Sequence, residues 1–209
     1  MDALTLLAAK AAEVVIPEAM KAYFEHRKRR AFDIVLEELR LANVDADEAA
    51  TRSDVAAMFV KFYQAMSQGA AFKNLRVIAK ILAHKASDPG ERADDFIMWA
   101  DAIGGLLHEE AVLLAALHRH YEKARITKNN VTDKVHNQAM LTLQGELVGP
   151  KKTFETNDAF EATGTALART GFVILVSGWG GMMSFSPSPR LHRLAQLASL
   201  DEWAESTEG

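Results

Sequence analysis

The chain has 209 residues, no cysteine and a formal net charge of −4, with 49% hydrophobic and 25% charged residues. That length and balance suit one globular domain or two small ones, and the missing cysteines exclude disulfides, thiolate metal sites and cysteine nucleophiles. No apolar run approaches the roughly 18 residues that span a bilayer, no global basic field points to nucleic acid, and a cytoplasmic protein is expected.

The opening, MDALTLLAAKAAEVVIPEAM, lacks a basic n-region and carries Lys10 and Glu13, so it does not read as a signal peptide. It reads as an amphipathic helix that packs internally, with peripheral membrane contact as the alternative. Helical spacing continues to about residue 42 through Met20, Phe24, Ala31, Ile34 and Val35. Pro17 either opens a second helix or kinks a long one. Within this stretch, EHRKRR (25–30) is read as a solvated face. The competing reading is an anion-binding patch of Arg27, Lys28, Arg29 and Arg30.

A connector follows, in which Thr51 or Ser53 is expected to cap the next helix and Asp54 to sit in its first turn. Val55, Met58, Phe59, Phe62 and Met66 form its stripe, ending near Gly69. Phe72, Leu75, Ile78 and Leu82 mark another helix, stopped by SDPGE (87–91). Phe96, Trp99, Ile103 and Leu107 make one further amphipathic face, which Gly104 and Gly105 weaken or end. HEEAVLLAALHRHY is apolar on most sides and is expected to be a central helix.

Composition changes past Lys128, and a soft domain boundary is set there: a helical domain over 1–128 and a second unit over 129–209, with one compact unit as the alternative. Val135, Ala139, Met140 and Leu143 predict a helix ended by Gly149 and Pro150. Asn157 or Asp158 is expected to cap a helix that runs to Arg169, and Thr170-Gly171 stops it. FVILVS and MMSFS then predict an antiparallel hairpin, about 172–177 and 182–186, around a GWGG turn. Ser188 and Pro189 introduce a closing helix. The fold class is therefore mainly α: an N-terminal helical bundle and a winged-helix-like module with one small β-hairpin.

The glycines of the turn do not make a phosphate loop. Gly178 and Gly180 begin a G-x-G-x-x-G pattern, but position 183 is Met and a strand follows where a helix is required. A G-x-S-x-G nucleophile elbow is absent as well. Elsewhere, His118 and Glu122 stand at i, i+4 and could share a ligand. His108 lies ten residues from His118, about 80° away around the helix, so one metal would not take both. Polar decoration of the helix is the preferred reading. Asp94, Asp95 and Asp101 are a second acidic group: Asp94 and Asp101, about 10 Å apart along a helix face, are too far apart for one metal, and Asp94-Asp95 near the helix start is assigned to the helix dipole.

NLRVIAKILAHKASD, LLHEEAVLLAALHRH and ALARTGFVILVSGWGGMMSFSPSPRLHRLAQLA together resemble small bacterial and phage-encoded helical proteins with a C-terminal winged-helix-like module, including the abortive-infection-associated Abi-alpha family. The residues that carry the likeness are Glu109 and Glu110, then Leu167, Arg169 and Gly171, then 188–194. It covers roughly the second half of the chain and leaves the GWGG turn outside. The resemblance implies a prophage or defence context and supplies no catalytic residues.

The expected function is a non-enzymatic interaction or oligomerisation module, a homo-oligomer or a binder of another protein, that uses an apolar hairpin tip of Trp179, Met182, Met183 and Phe185. The alternative is a winged-helix DNA binder that uses Lys151, Lys152, Arg190 and Arg193. It is disfavoured because six cations meet nine acids between 131 and 209. A metal-dependent enzyme on the His108–Glu122 helix is the third reading. No cofactor and no catalytic residue is expected.

Overall fold

The computed structural model describes residues 18–87, 93–123, 133–177 and 183–206. Among the described residues, ten α-helices, one 3₁₀ turn and one two-stranded antiparallel sheet make up the regular structure. The expected N-terminal amphipathic segment, the 87–91 stop apart from Ser87, and the GWGG turn lie outside the described residues.

Helix α1 (Glu18–Leu41) buries Ala31, Ile34, Val35 and Leu39 but leaves Met20 and Phe24 exposed. The expected apolar stripe is thus a packing face only in its C-terminal part. Arg27 marks the change. It turns inward, donates from Nε to Met66 O at 3.1 Å and from Nη2 to Ala70 O, and lies with Arg30 over the Phe72 ring. Arg27 is therefore buried and satisfies carbonyls freed at a helix end, rather than standing in a solvated or anion-binding patch.

Asp45 caps α2 (Ala46–Thr51), accepting from the backbone N–H of Asp47 and Glu48 at 2.9 Å. Neither Thr51 nor Ser53 caps α3 (Ser53–Ser67). Its N-cap is Arg52, which makes no side-chain cap bond. The Arg52 guanidinium is used instead on Asp54 and on Ala86 O, the latter at 2.8 Å. This joins the start of α3 to the end of α4 (Phe72–Ser87). Helix α4 packs against α1, α3 and α5 (Ala93–Gly104), and most of its residues are buried.

Leu107 does not continue the α5 face. The helix ends at Gly104, Leu106 turns into the core, and Leu107 is exposed at the entry to α6 (His108–Lys123). Helix α6 buries Ala111, Leu113, Leu114, Leu117 and Tyr121, as its nearly uniform apolarity requires. It contacts α7 (Asp133–Leu147), α8 (Asn157–Leu167), strand β2 (Met183–Pro187), α9 (Pro189–Leu197) and α10 (Leu200–Glu205).

Thr156, not Asn157 or Asp158, caps α8, because its extended backbone lets Oγ1 accept from Ala159 N. After a 3₁₀ turn at Ala168–Thr170, Gly171 takes φ +71, the left-handed conformation that ends the helix and starts β1 (Val173–Ser177). The strands pair Val173 with Pro187, Leu175 with Phe185 and Ser177 with Met183. Ser188 caps α9 with Pro189 in its first turn, as expected. The closing helix then breaks at Ala198, and Ser199 caps the separate α10. One buried cluster takes in Leu75, Trp99 and Leu114 together with Leu143, Phe172 and Trp203.

Candidate functional site

Three places bear the side chains that sequence reasoning singled out. At the hairpin, Phe185 is fully buried, its ring 5.2 Å from that of Phe160. It therefore offers nothing to a partner. The reason is its neighbour on α8: position 164 is glycine, and the Phe185 ring occupies the space a Cβ there would fill. Trp179 and Met182 lie outside the described residues, and Met183 is fixed only in its backbone register opposite Ser177. The apolar residues that do reach the surface are on the other strand: Ile174 is 50% exposed and Leu175 39%.

Three of the four cations proposed for nucleic acid, Lys152, Arg190 and Arg193, have other employment. Lys152 Nζ donates to Gly145 O at 2.5 Å, at the end of α7. Arg190 donates from Nη1 to Thr170 O at 3.1 Å and lies over the rings of Trp99 and Phe172. Arg193 is also engaged. Lys151 is exposed in the turn after α7, at φ +64. The exposed positions of α8 are Asn157, Asp158, Ala159, Ala162, Thr165 and Ala166, none of them a cation. Arg169, which follows, is held by Glu110 at 2.5 and 2.9 Å.

The third place is a polar cluster where α6 meets α9. His118 and Glu122, one turn apart on α6, face His192 from α9. Glu122 Oε1 stands 3.9 Å from His118 Nε2 and 3.4 Å from His192 Nδ1, and the two imidazole rings are 5.4 Å apart, edge to face. Burial holds the His118 ring below the usual histidine value. Glu122 opposes this, His192 adds to it, and Asp201 opposes it. Beside the cluster, Arg119 bridges Glu146 at 2.5 Å and Asp201 at 2.7 Å, and His120 Nε2 reaches Glu146 at 2.7 Å. His108 is not part of the cluster; its Nδ1 lies 2.7 Å from Lys73 Nζ. Asp101 pairs with Lys61 at 2.5 Å, while the side chains of Asp94 and Asp95 fall outside the described residues. Sequence reading found the His118–Glu122 pair and missed His192, because nothing local to α9 says which helix it faces.

A buried histidine near the hairpin requires a chemical reading as well. Tyr121 Oη meets His136 Nδ1, His136 Nε2 meets Ser184 Oγ at 2.8 Å, and Ser184 Oγ donates to Val176 O at 3.1 Å. The carbonyl can only accept, so the serine proton is used there. A neutral His136 with Nε2 protonated then fits, donating to Ser184 Oγ and accepting from the tyrosine at Nδ1. This chain of bonds ties the hairpin to α6 and α7. Burial pushes the Tyr121 hydroxyl well above its ordinary range, consistent with a neutral donor.

In comparisons with known proteins, no family model, no curated protein and no solved structure matches this chain.

Proposed function

We propose that the protein is a non-enzymatic self-association module whose β1 strand docks against β1 of a second copy. The observation that carries this reading is the strand itself. Ile174 and Leu175 point to opposite faces, yet both are substantially exposed. The strand VILVS has no charge, no proline and, among the described residues, no strand neighbour on its outer edge. Helices α6, α7, α8 and α9 lie against β2, while, among the described residues, α8 and the 3₁₀ turn alone of the helical elements make more than slight contact with β1. An outer strand without gatekeeping residues is a template for pairing. A two-fold partner supplies an identical uncharged strand and closes the sheet at four strands.

The winged-helix DNA-binding alternative has less support, since the exposed face of α8 lacks cations and Lys152 and Arg190 are committed to backbone carbonyls. A place among phage-defence proteins, as the Abi-alpha likeness implies, is compatible with a module that signals by assembling. Light scattering over a protein-concentration series, at two salt concentrations and with or without duplex DNA, tests these readings. A salt-insensitive dimer that Ile174→Lys converts to monomer is expected. A monomer at every concentration, or an Ile174→Lys dimer, removes the reading; a DNA complex that dissolves with salt favours the alternative.

A further inference from the structure

We propose that His118, Glu122 and His192 bind a divalent transition-metal ion of the zinc class, held between α6 and α9. Two imidazoles and one carboxylate are borderline nitrogen and oxygen donors. They suit Zn²⁺, Co²⁺ or Ni²⁺ and do not suit Ca²⁺ or Mg²⁺, which take oxygen ligands. The three donor atoms lie within 4.8 Å of one another. A tetrahedral ion with bonds of about 2.0–2.1 Å needs its ligands about 3.3 Å apart. The Glu122–His192 pair is already there at 3.4 Å, and the His118–Glu122 pair, at 3.9 Å, needs a small rotation. Glu122 has the freedom to make it, with its side chain 62% exposed.

The elements that carry these ligands are well fixed. His118 and Glu122 share a face of α6, a helix whose opposite side is buried core. His192 sits on the first turn of α9, where the Ser188 cap and Pro189 set the helix start and buried Leu191 and Leu194 set its rotation. The neighbouring cation, Arg119, has its charge balanced by Glu146 and Asp201. Three protein ligands at a half-open surface leave the fourth position to water or to a group from a second molecule.

The test uses tag-free, full-length protein stripped with a chelator. It is titrated with Zn²⁺ by calorimetry and with Co²⁺ in the visible, where tetrahedral coordination gives a strong absorption band. One ion per chain is expected. Glu122→Gln, an exposed and nearly isosteric change, and His192→Ala should each weaken binding about tenfold or more and abolish the cobalt band. His84→Gln, an exposed control on α4, should change neither. Unsaturable binding, or equal affinity in Glu122→Gln, His192→Ala and the parent protein, overturns the site.

Discussion

Gly164 lies in the middle of α8, where glycine costs a helix about 1 kcal/mol relative to alanine. On propensity alone Gly164→Ala would stabilise. Packing reverses the sign, because an added Cβ would overlap Cε1, Cζ and Cδ1 of Phe185. Those atoms are not the free end of a flexible chain: Phe185 is fully buried and is itself confined by Phe160. Overpacking of that kind costs about 1–3 kcal/mol, more than the helix gains. Gly164→Ala should therefore lower the urea midpoint, and Gly164→Ala with Phe185→Leu should recover part of the loss. If Gly164→Ala alone raised the midpoint, Phe185 would not be seated under α8. Which strand residue lies in the core is thus decided by a gap on another element. Alternation along MMSFS marks faces but cannot identify the one that meets a glycine, which is why Phe185 reads as a tip residue in sequence and is a core residue in the fold.

The seating of α1 on α4 raises a question of charge. Glu38 of α1 is 5% exposed and faces Arg76 of α4 at 3.3 Å, while Arg76 also holds the more exposed Glu37 at 2.9 Å. Burial raises the Glu38 carboxyl above its ordinary value despite the nearby Lys80 and Arg76. A raised folded-state value means that the fold prefers the protonated acid. The favourable contribution is complete below the ordinary carboxylate range and is lost as pH rises through the folded value. Glu38→Gln removes that loss and leaves Arg76 its bond to Glu37. Melting followed by circular dichroism should find the variant at least as stable as the parent at pH 7, with the two converging near pH 4; a variant clearly less stable at pH 7 would mean that the ion pair outweighs its desolvation. Helix ends were more legible than such contacts. Ser188-Pro189 and Thr170-Gly171 act through the backbone of their own segment, so sequence alone locates α9 and the end of α8. Caps were less legible: Thr156, one residue before the expected pair, caps α8, and Arg52 at the start of α3 gives its guanidinium to the distant Ala86 O, of which its stretch has no local sign. His192 was illegible for the same reason, since its neighbours lie on α6.

At the scale of the whole molecule, Asn74 is a buried polar link between the first half of the chain and the last described helix. Fully buried on α4, it donates from Nδ2 to Leu106 O at 2.8 Å and accepts at Oδ1 from Trp203 Nε1 at 3.0 Å. Trp203 belongs to the short α10, too short to hold as a helix on its own. Its place depends on tertiary burial and on this bond. The stacking of Trp99 on Phe172, 5.6 Å between ring centres, crosses the same divide. Changing Asn74 to leucine would strand both the indole N–H and a carbonyl in the core, at about 1–3 kcal/mol for each buried group left unpaired. Trp203→Phe strands only the Asn74 oxygen and should cost less. The two losses share one bond, so they should not add: the double variant should be more stable than the sum of single effects by about 0.5–3 kcal/mol. Urea unfolding by circular dichroism measures this directly. Additive losses would mean that α10 is not anchored through Asn74. Coupling with a single cooperative transition would mean that residues on both sides of position 129 unfold together, because the bond that couples them joins the first half of the chain to its last helix.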